Sequence, residues 1–181
     1  VTAPPGEFSA VTDPGALKQA FGCFPSGVVA VCSDVGGPHD PQPIGMAASS
    51  FTSVSMDPPL VSVCVQNTST TWPRLRASRA LGVSVFSADQ SELCRQMAGP
   101  AEHRFDGIDP FGPDAGTRTG VDDGALFVPQ AAAHLLCTVA QEVPAGDHVV
   151  VLLRIEALRS DPDIEPLVFH ASSFRALEAR R

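Results

Sequence analysis

Apolar and polar positions alternate with a period of two over most of this chain. Val29 and Val31 alternate with Val28, Ala30 and Cys32, while Val61, Val63 and Val65 share one face of Leu60 to Gln66. Leu81, Val83 and Val85 repeat the pattern up to Phe86. A period of two sends alternate side chains to opposite faces of an extended segment, and apolar residues between them indicate a sheet partly buried on both sides. Ala133 to Val143 and His148 to Leu158 alternate likewise on either side of Pro144-Ala145-Gly146-Asp147, which predicts a β-hairpin. Leu167 to His170 reads as a last short strand.

Helical spacing is confined to short stretches. Asp13-Pro14 reads as an N-cap followed by proline at the first helical position, with Leu17, Phe21 and Phe24 on one face and an end near Pro25. Ser87 and Gln90 form a capping box, followed by Leu93, Cys94 and Met97 up to Gly99. Pro100 to Pro129 is dense in glycine, proline and aspartate and predicts a long loop. Val1 to Thr12 reads as an N-terminal arm, and residues 13–181 as a single domain. About six strands with few helices favour a mainly β, antiparallel barrel, because rolling up a sheet removes its exposed edges.

Composition narrows the function. The 181 residues suffice for one domain that buries roughly two-thirds of its unfolded surface. No apolar run approaches the roughly 18 to 20 residues of a membrane span, so no membrane partner is expected. Twelve basic against twenty acidic residues give a formal charge of -8, which would repel a nucleic-acid backbone. A phosphate-bearing ligand must therefore be held by local donors. The five cysteines are widely spaced without a CxxC pair, and the first residues show no basic-then-apolar leader pattern. The expectation is a cytoplasmic protein with free thiols, with Cys32, Cys64 and Cys137 acting as small buried hydrophobes. The histidines share no metal-type spacing, so no metal is expected, and there is no G-x-S-x-G elbow, P-loop or G-x-G-x-x-G fingerprint.

Three places carry candidate chemistry. Gly45 to Ser55 concentrates small and hydroxylated residues without charge, ending in the rigid Met56-Asp57-Pro58-Pro59. It reads either as an ordinary serine-rich strand or as a surface that lets backbone amides approach a flat ligand. Gln66 to Thr71 lies between a strand and a helix-like stretch containing Trp72, Leu75 and Arg79. That is a natural phosphate site, with Arg74, Arg76 and Arg79 close behind, or a simple N-cap. His148 begins a strand directly after a turn and reads as a surface residue or a ligand-positioning one.

Taken in order, F-P-S-G-V-V-A-V (Phe24 to Val31), G-M-A-A-S-S-F-T-S-V-S-M-D-P-P-L (Gly45 to Leu60), R-F-D-G (Arg104 to Gly107), G-D-H (Gly146 to His148) and P-L-V-F-H (Pro166 to His170) with Phe174 span nearly the whole chain after residue 20. The chain resembles the flavin reductase components of two-component monooxygenases, the short-chain group with an FMN-binding split-barrel fold. The resemblance implies an antiparallel split β-barrel and an NAD(P)H:flavin oxidoreductase, with NADH favoured over NADPH. Hydride would pass from nicotinamide C4 to flavin N5. Reduced FAD or FMN would then diffuse to a partner monooxygenase or halogenase, as in secondary-metabolite biosynthesis.

The resemblance also implies site residues. Pro25, Ser26 and Gly27, with Met46, Ala47, Ala48, Ser49, Ser50 and Phe51, would line the isoalloxazine. Gln66, Asn67, Ser69 and Thr71 would hold the ribityl chain and phosphate. Phe105 and His148 would serve the nicotinamide, His148 by positioning it, while Phe169, His170 and Phe174 would form the far wall. Two protomers would pack as a homodimer. The chain departs from the family where Leu153 replaces a usual glycine, where Phe169 replaces a tyrosine and near Ser172, where glycine is common; it contains no tyrosine at all. A non-catalytic flavin-binding or electron-carrier barrel using the same Ser49 and Ser50 surroundings is the alternative. Flavin-dependent oxidation of NADH separates the two.

Overall fold

A computed structural model describes residues 11, 13–36, 39–109 and 124–177. The expected arm, apart from Val11, and residues 110–123 of the expected loop lie outside the described residues. In chain order the elements are α1 (Pro14–Gly22), β1 (Ser26–Gly27), β2 (Val29–Asp34), β3 (Pro43–Ala48), β4 (Thr52–Met56), β5 (Pro59–Gln66), α2 (Trp72–Leu75), β6 (Leu81–Val85), α3 (Ser91–Ala98), β7 (Ala133–Ala145), β8 (His148–Ser160), β9 (Val168–His170) and β10 (Ser173–Arg175). No described helix is long and apolar enough to cross a membrane.

Seven strands form one antiparallel sheet in the order β3-β2-β6-β7-β8-β5-β4, and β1-β9-β10 form a smaller one. The strands β3 and β4 stand at opposite edges of the large sheet, yet only Ser49, Ser50 and Phe51 separate them in the chain. Four Cα steps reach at most about 14 Å, whereas a flat sheet would hold edges six spacings apart, about 29 Å. The sheet must therefore roll until its edges meet. The linking Ser50 is fastened to β5: its Oγ accepts from Cys64 N at 2.8 Å and donates to Cys64 O at 3.2 Å. The result is a split barrel, rolled up but without a continuous ladder along the seam. The serine-rich run is thus two strands on either side of a crossing, not one strand.

Alternation explains the core. Val29, Val31, Val61, Val63, Leu81, Val83, Val151 and Leu153 fill the barrel, together with Trp72 and Leu75. The other face of β2, Ala30 and Cys32, together with Val28 just before it, packs under a second layer that includes Phe86, Cys94, Met97, Leu126, Val128 and Leu167. That second layer buries β2 on both sides. Two of its members, Leu126 and Val128, belong to the expected loop, whose C-terminal end is therefore packed structure rather than a free connection.

The hairpin is longer than expected. Pro144 pairs with Val149 and Ala145 with His148, leaving Gly146 (φ 66°) and Asp147 as a two-residue turn. Proline is tolerated there because β6 covers β7 only from Ala133 to Cys137, so beyond that point β7 has no neighbour on its second side. The capping box at Ser87 and Gln90 is present, but it opens a 3-10 turn that precedes α3. The Asp13 cap is also formed, with Oδ1 accepting from Gly15 N at 2.8 Å. Helix α1 nevertheless buries none of its residues, and Phe21 and Phe24 remain 71% and 79% exposed.

Candidate active site

The site sits on the seam. As the chain leaves β3, Met46 to Ser50 form one wall of a hollow of about 470 Å³; its other wall is the end of β5 and the following turn, with Gln66, Ser69 and Thr71 among its residues. A second hollow of about 510 Å³ also has Ala47, Ala48 and Ser49 in its lining and is walled by Phe169 and Phe174. The two hollows share this three-residue floor, whose side chains are small enough to leave the backbone accessible.

Polar groups gather in the first hollow. Ser69 Oγ accepts from Trp72 N at 3.1 Å, which leaves its hydroxyl proton for a ligand. Arg104 reaches in from the segment after α3: Nε donates to Gly99 O at 2.9 Å, and Nη1 donates to Gly45 O at 2.7 Å and Thr71 Oγ1 at 3.0 Å. One guanidinium thus ties β3, the Thr71 turn and the end of α3 together while lining the hollow.

This corrects the phosphate argument drawn from the sequence. Helix α2 is a single turn whose N-cap, Thr71, makes no side-chain cap, so it offers little dipole. Arg74, Arg76 and Arg79 are exposed and line neither hollow. Arg76 instead pairs at 2.9 Å with Glu142, which also accepts from Trp72 Nε1 at 2.6 Å. The cation at the hollow is Arg104, the residue next to Phe105 in R-F-D-G.

His148 lines the first hollow from the hairpin turn, with Nδ1 2.7 Å from Asp147 Oδ1. The hydrogen bond from His148, and then its charge, hold the Asp147 carboxyl below the usual range, so Asp147 accepts and the Nδ1 proton is fixed. Nε2 is the nitrogen left to a ligand. Asn67 does not line the hollow. Its backbone N donates to Asp147 O at 2.9 Å and its Nδ2 to Gly146 O at 3.1 Å, so it holds the turn that carries His148.

The other expected residues divide. Met46, Ala47, Ala48, Ser49, Ser50, Gln66, Ser69, Thr71 and His148 come together in the first hollow, and Phe169 and Phe174 in the second. Phe51 packs against the barrel core, and Phe105 against the second core layer behind Gly45, so neither lines a hollow. Pro25, Ser26, Gly27 and His170 are not among the lining residues; Ser26 pairs with Phe169 in the small sheet. Cys64, expected in the core, is exposed and lines the first hollow. Burial pushes the thiols of Cys32 and Cys137 up to about 12 and that of Cys94 to about 11, so these three stay protonated and unreactive. No described cluster of His, Cys, Asp and Glu could hold a metal.

Adjoining hollows that share one neutral floor, one rich in hydroxyls with Arg104 and one walled by aromatic rings, suit flat and phosphate-bearing ligands. Residues 21–178 match the flavin reductase like domain, and the chain belongs to that family. An NADH-dependent flavin reductase of Rhodococcus is 37% identical over 96% of this chain and 92% of its own length. A stachydrine N-demethylase reductase subunit of Rhizobium meliloti is 35% identical over 83% of this chain, which spans only 60% of that relative. The Streptomyces globisporus NADH:FAD oxidoreductase, solved with NAD and FAD fragments, superimposes with a TM-score of 0.81 at 33% identity, over 95% of this chain and 97% of that one. The flavin reductase component of a bacterial two-component tryptophan halogenase gives 0.76 at 31% identity, over 93% and 100%. The enzyme class that follows is flavin reductase.

Proposed function

We propose that this chain is an NADH-dependent flavin reductase that supplies reduced FAD or FMN to a separate monooxygenase or halogenase. The shared floor Ala47-Ala48-Ser49 supports the reading, because ligands in two hollows that share it would be neighbours. Flavin, when bound, supplies the hydride-accepting ring. The hydroxyls of Ser49, Ser50, Ser69 and Thr71 fit its ribityl chain and phosphate, and Arg104 provides the local positive charge that a chain of net charge -8 otherwise lacks. Holding rings in contact and alignment is most of what hydride transfer asks of a protein, so no general acid or base is required. His148, held by Asp147, stands in the first hollow beside the flavin's polar groups, and Phe169 and Phe174 offer apolar walls to the nicotinamide in the second. The exposed Phe21 on α1 and Phe24 just beyond it favour a homodimer in which a second copy covers them.

The test pairs turnover with binding. NADH oxidation should require added flavin, and flavin should quench Trp72, the single tryptophan, which adjoins Thr71 in the first hollow. Arg104→Met should weaken FMN about tenfold and riboflavin much less, as expected for a lost charged contact. Quenching without NADH oxidation would establish the electron-carrier alternative, and absence of both would overturn the flavin site.

A further inference from the structure

The second hollow contains a cation that the proposed mechanism leaves unused. Arg95, on α3, lines it with its guanidinium carbon 4.9 Å from the centroid of the Phe174 ring. Phe174 is itself braced edge-on by Phe169, with centroids 5.5 Å apart. Stacking on an aromatic face leaves the in-plane N–H groups of a guanidinium pointing outward, where they suit phosphate oxygens. Ser172 and Ser173 add hydroxyls to the same hollow. Arg95 also pairs with Glu92 one turn earlier on the helix, a contact at the surface where both side chains are more than half exposed. Glu92 therefore competes for Arg95 with any incoming anion.

We propose that Arg95, stacked on Phe174, is a specificity-determining contact for a phosphate of the nicotinamide dinucleotide. The proposal rests on the flavin reductase reading and deepens it. The first hollow already has its own cation, Arg104, and its own hydroxyls, which suffice for the flavin's phosphate. The other side chains lining the second hollow are apolar, thiol or hydroxyl groups, so Arg95 is the cation among its lining residues. An anionic hydride donor approaching a chain of charge -8 needs such a contact on its own side of the floor.

The experiment compares Arg95→Ala, Arg95→Lys and Glu92→Gln with the wild type. It measures NADH binding to the flavin-free protein by calorimetry, and steady-state kinetics with NADH and with a phosphate-free N-alkyl dihydronicotinamide at saturating flavin. Arg95→Ala should weaken NADH binding and raise its KM about fivefold to tenfold with kcat little changed, in the range of a partly exposed charged contact. It should leave the phosphate-free donor unaffected. Arg95→Lys, which keeps the charge and loses the planar fork, should recover part of the loss. Glu92→Gln should move the other way and tighten NADH twofold to threefold by freeing Arg95.

Equal loss with both donors would assign Arg95 a structural role and overturn the proposal. So would a weakened FAD or FMN with unchanged NADH, which would give the phosphate to the flavin. Wild-type protein that oxidises neither donor would instead refute the flavin reductase reading itself.

Discussion

Gly45 is where packing and function meet, and Gly45→Ala tests both. A methyl group built on Gly45 would lie 2.5 Å from Cys32 Sγ, 2.9 Å from Met97 Cε and 3.1 Å from Phe105 Cζ. Cys32 and Met97 are buried, at 1% and 0% exposure, so relief must come from shifting β3 against β2 or α3. Overpacking of this kind costs about 1–3 kcal/mol, partly offset by about 0.4–1 kcal/mol from the stiffer unfolded chain. The expected loss is about 1–2 kcal/mol, or roughly 3–6 °C in Tm for a domain of this size. Since Arg104 Nη1 binds Gly45 O, a displaced β3 also disturbs the first hollow, and flavin affinity should fall with stability. Urea denaturation gives the first quantity and quenching of Trp72 by flavin the second. The decisive comparison is the same substitution in a Cys32→Ala background, where the nearest clash is gone: the two changes should couple by about 1 kcal/mol. If Gly45→Ala costs the same in both backgrounds, or nothing in either, the packing argument is wrong.

Three further outcomes are expected. Under mild alkylation Cys23 and Cys64 should react quickly and Cys32, Cys94 and Cys137 slowly, and saturating FMN should slow Cys64 alone, because only it lines the first hollow among the exposed thiols; mass spectrometry reads each site. Buried His134, whose Nε2 donates to Val128 O at 2.7 Å while Nδ1 accepts from Arg159 Nε at 3.0 Å, has its pKa lowered, first by burial and also by Arg159. Below pH 6.5 the unfolded chain takes up this proton before the folded one, so stability should fall with pH by up to about 1.4 kcal/mol per unit. His134→Gln should flatten that part of the denaturation profile. At the β9–β10 turn Ala171 and Ser172 have φ of 49° and 60°. Ser172→Gly should therefore stabilise the protein by about 0.5–1 kcal/mol, the left-handed penalty less the added chain entropy, as read by thermal denaturation.

The strands were legible because a rolled sheet with one apolar face keeps strict alternation, as at Val61, Val63 and Val65. Alternation also put Cys64 on the opposite face of β5, but its exposure depends on what covers that face. On β2 the corresponding face, with Cys32, lies under the layer that includes Cys94 and Met97 of α3, whereas Cys64 opens onto the seam. The break between β3 and β4 had no local signal. Gly45 to Ser55 is rich in small residues on both sides of the break, and only closure of the roll decides that Ser49 to Phe51 must cross it. Arg104 stood in plain view in R-F-D-G, but its contact with Thr71, 33 residues away, exists only in the fold. Phe105 drew the functional reading, although an aromatic ring behind a glycine in a packed strand is better used as a buttress.

The location of the site follows from an incomplete ladder. As the terminal strand of the large sheet, β3 pairs only with β2, so its second edge has backbone groups with no strand to receive them. In an open sheet such an edge invites another chain. Here the roll turns it inward to face β5 across the seam, where Ser50 satisfies one residue, Cys64, and Arg104 caps one carbonyl, Gly45. What remains between them is a strip of backbone amides over alanines and serines, flanked by one cation on each side. A fully closed barrel would have used those amides for its own hydrogen bonds. The split therefore frees polar backbone for a flat ligand, and this is why a run of otherwise unremarkable small residues can be the centre of the site without containing a single catalytic side chain.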